Sequence, residues 1–401
     1  MARTTMLPLL ALTLCAFSVS TSELMLVGLL PELSNSLGVS VPQAGLLVTG
    51  YAVGVIIAAP IVAVITNGVA RRPMILVLMA VFAAGNLICA LAPDYTVLLI
   101  ARILTAVSHA AVFGSAAVMA ADIVPEDRRA RAVAIVFSGA TFATIAGVPL
   151  GTAAGGILGW QSAFWMTTLL GAASILAILV WLPNTLPAHR ADFRREMKVL
   201  AKSRQVILAL VVTALVWASL FAVFTFIAPI LEDVAGASEH SVVIFLFAFG
   251  VGMTIGNFIG GRLADWHLLP SIIGMIAAAA VLMAVISIII HNAYLVIATL
   301  LVWGLFIFAL APAMQYWAVK SAHGAEHLLS TINQGSFHLG SAAGAWISAS
   351  ALYFGVGYRD LPWVGEGLAL AALAIAVLAI TGEFSRRKQL FSRLTRRQAP
   401  A

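Results

Sequence analysis

The chain divides at residues 183–204, whose sequence PNTLPAHRADFRREMKVLAKSR is the longest polar segment. On either side of this segment, long apolar runs alternate with short polar breaks. Of the 401 residues 62% are hydrophobic and only 9% are charged, whereas soluble domains carry about 25% charged residues. This composition excludes a water-soluble enzyme and a disordered chain, because the charges are too few to cover a surface or to keep the chain unfolded.

The apolar runs are long enough to cross a membrane, since a spanning helix needs about 20 apolar residues. Twelve spans fit the 401 residues, because they leave about 33 residues for each helix and its connection. The predicted fold class is therefore an all-α membrane protein with twelve transmembrane helices in two six-helix bundles. The breaks between the runs place the spans near residues 7–31, 43–66, 74–92, 96–121, 132–157, 162–182, 205–231, 241–261, 271–290, 294–319, 328–354 and 362–381.

Basic residues indicate the side of the membrane on which each connection lies, because Lys and Arg are retained on the cytoplasmic side. With the N-terminus inside, twenty of the 22 basic residues fall in cytoplasmic segments, while Arg359 falls outside and Arg102 within a span. We therefore predict that both termini are cytoplasmic. The predicted organisation is a bundle at 1–182, a cytoplasmic linker at 183–204, a second bundle at 205–385 and a basic cytoplasmic tail at 386–401.

Each end of the chain resembles a known signal, and in both cases we prefer another interpretation. The basic tail is a weak nucleic-acid signal, and we interpret it as a segment that orients the chain on anionic lipids, with no nucleic-acid partner. The N-terminus resembles a signal peptide, but its apolar run continues to Pro31 and predicts an uncleaved first helix. Cys15 and Cys89 each lie inside an apolar run, so no disulfide framework is expected.

A shift of 198 residues brings the two halves into register. Pro31 then falls on Pro229, Val53 on Val251 and Asn67 on Asp265. Because six spans is an even number, a repeat of this kind gives both halves the same orientation, with an axis along the membrane normal. This arrangement predicts a substrate site near the midplane between the halves and alternating access by rocking of one half against the other.

Four places carry a resemblance to a known family. They are Thr21-Ser22-Glu23 with Gly28-Leu29-Leu30-Pro31 in the first span; Arg102 and His109 in the fourth; Gly139, Gly147-Val148-Pro149-Leu150-Gly151 and Gly155-Gly156 in the fifth; and Gly261-Arg262-Leu263-Ala264-Asp265 after the eighth. Over nearly its whole length the chain resembles the major facilitator superfamily, within the twelve-span drug:proton antiporter group. It is similar to bacterial exporters of chloramphenicol type and to sugar-efflux permeases.

The resemblance implies a proton-coupled exporter of the bacterial cytoplasmic (inner) membrane, in which Arg102 takes part in proton coupling. It also implies that the fifth-span motif, Gly139, Gly147, Pro149, Gly151 and Gly155, forms a bend that seals the cavity against leak. Ordinary small-residue packing is the alternative interpretation. The implied cytoplasmic gate comprises Asn67, Arg71, Arg72, Gly261 and Asp265, but the first-half loop has Asn67 in place of the family's Asp and Ala63 in place of its Gly.

Glu23 and Arg102 are the candidate proton-coupling residues, because an ionisable group deep in a bilayer costs at least about 2.5–3.5 kcal/mol. Their positions place them roughly 6 and 9 Å to the outer side of the midplane, so the two side chains are expected to meet. His109 lies two helical turns beyond Arg102 and is either a proton relay or a packing residue. A static ion pair that only fixes helix packing is the alternative for Glu23 and Arg102.

Polar and aromatic side chains inside the spans are the candidates for the substrate cavity. They are Tyr51, Asn86, Trp217, Thr225, Phe226, Asn257, Trp303, Gln315, Asn333, Gln334 and His338, and most of them could equally be packing residues or interfacial anchors. The scarcity of buried acids argues against a polycationic substrate. A small neutral or amphipathic molecule, such as a phenicol-like drug or a sugar, fits better.

Other classes of membrane protein fit the sequence less well. It contains no phosphate-binding loop of the ATPase type, and it lacks the clustered acids and histidines that a membrane enzyme would need. No cofactor or metal is expected, and the partners are a small-molecule substrate, protons and the lipid bilayer, with the protein acting as a monomer. Within transport, export by antiport competes with symport or facilitated uptake.

Overall fold

The computed structural model describes residues 3–66, 68–125, 129–184, 203–321 and 326–397. The linker residues 185–202 and Asn67 lie outside the described part. Over the described residues the chain is helical, without a β-strand. Its main helices are α1 Arg3–Leu24, α2 Leu30–Leu37, α3 Val41–Ile65, α4 Arg71–Ala90, α5 Tyr95–Ile123, α6 Arg129–Phe142, α7 Val148–Leu158, α8 Gln161–Trp181, α9 Arg204–Phe224, α10 Glu239–Ile289, α11 Ala293–Lys320, α12 Glu326–Tyr353 and α13 Leu361–Arg397.

The helices form the twelve predicted spans. Within the described ranges, eleven helical stretches are long and apolar enough to cross a membrane. The remaining span is α12, whose many Ser, Asn, Gln and His residues lower its hydropathy although it has 28 residues. Residues 386–397 of the predicted tail continue α13. Because consecutive spans are antiparallel, α1 begins and α13 ends at the same end of the bundle, which we call the terminal end.

α10 contains two spans. At His267 the backbone leaves the helical region, with φ −145° and ψ 87°, and Pro270 follows within the next turn. The chain reverses there, so the helix divides into the candidate spans Ser241–Ala264 and Trp266–Ile289. The two spans predicted near 241–261 and 271–290 are thus present, with a shorter connection than the sequence indicated.

Prolines mark three irregular segments inside spans, because a proline cannot donate the hydrogen bond to the carbonyl four residues before it. A 3-10 segment, Met25–Leu29, precedes Pro31, and a π-helical segment, Ala143–Gly147, precedes Pro149. In the second half, α9 ends before Pro229 and the π-helical segment Ile230–Val234 follows it. Pro31 and Pro229, matched by the 198-residue shift, therefore interrupt the first span of each half, as a repeat requires.

The two halves pack together at the end of the bundle opposite the terminal end. One buried core cluster joins the second half to residues of the first half from that opposite end, such as Leu26, Leu47 and Phe164. The terminal-end residues of the first half, such as Leu12 and Met79, form a separate cluster with no second-half member among the described residues. The halves thus share one core at the opposite end, whereas the first half has a core of its own toward the terminal end.

Candidate functional site

The ionisable side chains within the spans meet where the two halves come together. Glu23 lies in the last turn of α1, immediately before the 3-10 segment. Its Oε2 lies 3.7 Å from Nδ1 of His109 on α5, and its Oε1 lies 3.5 Å from Nδ1 of His338 on α12. The two imidazole rings are in edge contact, with centroids 4.8 Å apart. A carboxylate of the first half is therefore held between histidines of opposite halves.

Tyr51 connects this group to Arg102. The Tyr51 hydroxyl lies 3.0 Å from Nδ1 of His109, and the Arg102 guanidinium lies over the Tyr51 ring, 4.1 Å from its centroid. Arg102 also donates from Nη1 to the Ser22 carbonyl at 2.8 Å. Arg102 is fully buried, and its Nε and Nη2 have no hydrogen-bond partner among the described residues. Such a cation–π contact contributes up to about 2 kcal/mol when it is desolvated, so the Tyr51 ring partly replaces a counter-ion.

The expected direct contact between Glu23 and Arg102 is not formed. The guanidinium binds the carbonyl and hydroxyl of Ser22, the residue before Glu23, while the Glu23 carboxylate contacts the two histidines. Side chains of consecutive residues project from a helix about 100° apart, since the helix has 3.6 residues per turn, so the Ser22 hydroxyl and the Glu23 carboxylate face different neighbours. The two charges are therefore connected through Tyr51 and His109 rather than paired.

Asn86 belongs to a buried network that holds the first half together. Its Oδ1 accepts hydrogen bonds from Ser22 on α1 at 2.8 Å and from Thr167 on α8 at 2.9 Å, and its Nδ2 donates to the Phe82 carbonyl. Asn86 is fully buried. The amide thus supports the α1 turn that presents Glu23 and the Ser22 carbonyl, and in this conformation it does not face a cavity.

Asn333 and Trp217 form a polar and aromatic group in the second half. Asn333 donates to Gln315 Oε1 at 2.6 Å and accepts from the Thr213 hydroxyl at 3.1 Å. The Trp217 ring contacts Phe337 and Phe308 at centroid distances of 4.7 and 5.3 Å, and its indole Nε1 has no hydrogen-bond partner among the described residues. Gln334, beside Asn333 on α12, is half-buried.

Three other cavity candidates are packing residues in this conformation. Thr225 and Phe226 are fully buried where α9 ends, and the Phe226 ring lies against Gly45 of the first half. Trp303 is also fully buried, with its ring 5.2 Å from that of Phe249. Contact of Phe226 with Gly45 joins the halves at the opposite end, whereas Trp303 packs within the second half.

The fifth-span glycines pack against the first span. A methyl group at Gly139 would meet the Thr13 carbonyl, and one at Gly147 would meet Thr21. Gly151 and Gly155 lie in the same way against Met25 and Leu29 of the 3-10 segment, and Pro149, between Gly147 and Gly151, is buried. The glycines therefore bring α6 and α7 close to the first span on both sides of Glu23, which is the close approach expected of small residues.

The predicted gate residues make contacts within the first half at the terminal end. Arg71 forms an ion pair with Asp122 on α5 at 3.1 Å, and Arg72 donates to the Leu179 carbonyl on α8 at 2.6 Å. Nothing lies within 4 Å of a methyl group built at Gly261. Asn67 and the side chain of Asp265 lie outside the described residues. Asp122 was not predicted, although an acid at the terminal end of α5 is a natural partner for the basic loop.

Within the described ranges, no three His, Cys, Asp or Glu residues are arranged to hold a metal ion. Cys15 and Cys89 are separate and fully buried. The cluster of Glu23, Tyr51, Arg102, His109 and His338 thus brings ionisable side chains of both halves into one group.

Comparison with known proteins identifies the class to which this fold and site belong. The Major Facilitator Superfamily model matches residues 12–345, so the chain belongs to that family. It is 37% identical to the inner membrane transport protein YdhP of Escherichia coli (strain K12), over 93% of this chain and 95% of that protein. It is 32% identical to a chloramphenicol resistance protein of Streptomyces lividans, over 92% and 95% of the respective chains.

Solved structures of low sequence identity show the same fold. A bacterial homologue of the human lysosomal transporter Spinster, in an inward-facing and unoccupied conformation, aligns with a TM-score of 0.68 at 15% identity, over 94% of this chain and 96% of that one. The human organic anion transporter MFSD10 aligns with a TM-score of 0.67 at 18% identity, over 93% and 99%. The chain is thus a multi-pass membrane transporter with the twelve-helix fold of its family.

Proposed function

We propose that this transporter exports a small neutral or amphipathic molecule from the cytoplasm in exchange for protons, as a monomer in the bacterial inner membrane. The observation that carries the proposal is the Glu23 carboxylate held between His109 of its own half and His338 of the other half. A proton carrier coupled to alternating access needs surroundings that differ between the two states. The contact between Glu23 and His338 would differ between the two states, because the two residues belong to opposite halves.

The conformation fits one state of such a cycle. The halves are joined at the opposite end and form separate cores toward the terminal end. With the termini in the cytoplasm, as the distribution of the basic residues predicts, this is the inward-facing state. Rocking to the outward-facing state would separate the halves at the opposite end and change the distance between Glu23 and His338. The proton affinity of the carboxyl group would change with it, since a neighbouring hydrogen-bond donor or charge alters that affinity.

Arg102, Tyr51 and His109 support the carrier from within the first half. Since Nδ1 of His109 lies near both the Tyr51 hydroxyl and the Glu23 carboxylate, its tautomer decides whether Nδ1 donates a hydrogen bond or accepts one from the Tyr51 hydroxyl. If Nδ1 gives its proton to the Glu23 carboxylate while Nε2 takes one from water, the imidazole ends as the other neutral tautomer and the carboxyl group gains a proton; the reverse steps release it. Arg102 supplies a fixed positive charge close by, which compensates the carboxylate when it is ionised.

The second half supplies the proposed substrate contacts. Trp217, with Phe308 and Phe337, provides apolar ring surfaces, and Asn333 and Gln334 provide amides nearby in sequence. Phe337 directly precedes His338 on α12, so a substrate that displaces the Phe337 ring moves the turn that carries His338. This link suits a neutral molecule with an aromatic or otherwise flat face, such as the drug named for the Streptomyces relative.

The test is pH-driven transport of chloramphenicol in everted membrane vesicles, with and without a proton uncoupler. The wild-type protein should accumulate the drug in the vesicles only while the proton gradient lasts. Glu23→Gln, which keeps the size of the side chain, should abolish this accumulation but retain exchange of labelled for unlabelled drug. Asp360→Asn, an exposed acid at the opposite end, is the matched control and should behave as wild type.

Two outcomes would contradict the proposal. Gradient-driven accumulation by Glu23→Gln at the wild-type rate would remove the carboxyl group from the coupling. Uptake in the opposite direction, with drug and protons moving together, would favour the symport alternative.

A further inference from the structure

The guanidinium of Arg102 has unused N–H groups beside a carboxylate that it does not bind. Its Nη1 donates to the Ser22 carbonyl at 2.8 Å and lies 3.4 Å from the Ser22 hydroxyl, whereas its Nε and Nη2 have no hydrogen-bond partner among the described residues. Ser22 directly precedes Glu23 on the same helical turn. A bidentate pair of Arg102 with the Glu23 carboxylate would use the remaining N–H groups and would form the stronger kind of hydrogen bond. The absence of this pair therefore requires a structural reason.

Asn86 of α4 holds Ser22 on the side of α1 that faces Arg102. The Ser22 hydroxyl donates its one proton to Oδ1 of Asn86 at 2.8 Å, so toward Arg102 it can act only as an acceptor. The amide is fixed in turn, because its Nδ2 donates to the Phe82 carbonyl at 2.9 Å and its Oδ1 also accepts from Thr167 at 2.9 Å. Ser22, Asn86 and Thr167 are fully buried. The last turn of α1 is thus tied to α4 and α8 through one amide group.

Other titratable side chains surround the two charges. They are Tyr51 of α3, Cys89 of α4, His109 of α5 and His338 of α12. A substitution at Asn86 leaves each of these groups in the chain. A change in the protonation of Glu23 in such a variant would therefore report on the position of Arg102.

We propose that Asn86 is a positioning residue that holds Arg102 on Ser22 and so prevents it from pairing with Glu23. The inference rests on the proposed function, because it concerns the carboxyl group to which the proton is assigned there. Without the amide, the Ser22 hydroxyl can turn to a carbonyl of its own helix, as Ser18 does with the Leu14 carbonyl at 2.7 Å. The α1 turn is then no longer tied to α4, and the guanidinium can take the carboxylate.

Such an ion pair would hold the carboxyl group in its ionised form, since a neighbouring opposite charge favours ionisation. Protons would then bind only from a more acidic solution, and the carrier would release and take up protons poorly. Asn86 thereby sets the pH range in which Glu23 can act.

The test measures the protonation of Glu23 directly, on the purified full-length protein. Dicyclohexylcarbodiimide reacts with protonated carboxyl groups in apolar surroundings, and peptide mass spectrometry quantifies its adduct at Glu23 as a function of pH. Asn86→Leu keeps the approximate size of the side chain and removes its hydrogen bonds. Labelling of this variant should be half-maximal at a pH about one unit lower than in the wild type, a tenfold loss of proton affinity. Ser22→Ala, which removes the hydroxyl and keeps the carbonyl, should shift the value in the same direction by less.

Thr167→Val is the matched control within the same network. The Thr167 hydroxyl donates to Asn86 but also lies 3.0 Å from the Phe164 carbonyl of its own helix. This variant should lose some thermal stability and keep the wild-type pH of half-maximal labelling. A half-maximal pH at or above the wild-type value in Asn86→Leu or in Ser22→Ala, or an equal downward shift in Thr167→Val, would overturn the proposal. Either of the first two variants decides it alone if the other does not fold.

Vesicle transport by the same proteins separates this inference from the proposed function. If gradient-driven efflux continues in Glu23→Gln, the proposed function fails, while the labelling still decides whether Asn86 positions Arg102. If Glu23→Gln abolishes efflux and labelling of Asn86→Leu is unshifted, the proposed function stands and the positioning role alone is overturned.

Discussion

At the scale of the residue, the site depends on how a carboxylate and a guanidinium are accommodated without touching each other. Arg102 contacts the Ser22 carbonyl and the Tyr51 ring, while its Nε and Nη2 have no hydrogen-bond partner among the described residues, and Glu23 contacts two histidines. Removal of one partner from a buried charge is strongly destabilising, so each contact is expected to have a measurable effect. The arrangement leaves Glu23 without a direct ion pair to Arg102, which is what the proposed role as a proton carrier requires.

His338 offers the sharpest residue-scale test. Its Nδ1 is the atom near Glu23, and the side-chain nitrogen of asparagine can occupy nearly the same place. We expect His338→Asn to keep most of the gradient-driven efflux. His338→Leu should lose at least about tenfold, since hydrogen bonds to charged groups contribute about 1.5–3 kcal/mol. Transport in vesicles at fixed gradient measures both variants, and equal activity of the two would show that the contact with Glu23 has no role in coupling.

Tyr51 has two separable functions, one for its ring and one for its hydroxyl. Tyr51→Phe keeps the ring under Arg102 and removes the contact with His109, so its melting temperature should stay near that of wild type. Its gradient-driven efflux should fall about fivefold, the equivalent of one hydrogen bond. Tyr51→Leu also removes the cation–π contact and should destabilise the protein by up to about 2 kcal/mol. Thermal unfolding in detergent separates the two effects, and a Phe variant as unstable as the Leu variant would contradict this division.

At the scale of the element, the irregular segments fix where the site is built. The 3-10 segment after Leu24 packs against α7, and the π-helical segment before Val148 packs against α1, in both cases through glycines of the fifth span. Each segment precedes a proline and arises because the proline has no backbone N–H to donate. The end of α1 is thereby turned so that Glu23 faces the second half.

The fifth-span glycines should differ in their tolerance of alanine. At Gly139 the added methyl group would meet backbone atoms of α1, whereas at Gly151 it would meet the flexible side chains of Met25 and Met166. Gly139→Ala should therefore destabilise by about 1–3 kcal/mol, and Gly151→Ala by less. Gly114→Ala, where nothing lies within 4 Å, is the control. Thermal unfolding measures all three, and equal stability of the Gly139 and Gly114 variants would contradict the close packing.

The positions of the helices and of their proline breaks could largely be predicted from the sequence. The span positions followed from the apolar runs, because the bilayer requires helices of a fixed length, and the breaks at Pro31 and Pro229 followed from proline chemistry. The side-chain partners of the site could not be predicted in the same way. Helical rise gives the depth of Glu23 and Arg102, but not the rotation of each helix about its axis, which packing decides. A long side chain can also reach several neighbours, and the sequence does not specify which of them it contacts. Arg102 contacts Ser22, and Arg71 contacts Asp122.

At the scale of the whole molecule, the arrangement of the halves defines a conformational state. The core is continuous across the halves at the opposite end, through contacts such as that of Phe226 with Gly45. Toward the terminal end the first half keeps a separate core. If the termini are cytoplasmic, this conformation exposes the region of Glu23 to the cytoplasm.

The orientation can be tested with single cysteines. Tyr294→Cys lies at the opposite end, where the native side chain is 86% exposed, and Val69→Cys lies at the terminal end, 42% exposed. In whole cells a membrane-impermeant maleimide should label the first and not the second, since the positive-inside rule places the terminal end in the cytoplasm. Permeabilised cells should show labelling of both. The reverse pattern would invert the orientation.

The most direct test of the coupling is the distance between the halves at the opposite end, measured by double electron–electron resonance as a function of pH. Spin labels at Gln43→Cys in the first half and Tyr294→Cys in the second occupy exposed positions, and the native Cys15 and Cys89 are fully buried. We predict that the distance distribution of the otherwise wild-type protein changes between acidic and alkaline pH. The same pair in a Glu23→Gln background should give one distribution at every pH. An unchanged pH response in the Glu23→Gln background would contradict the claim that protonation of this carboxyl group moves the halves.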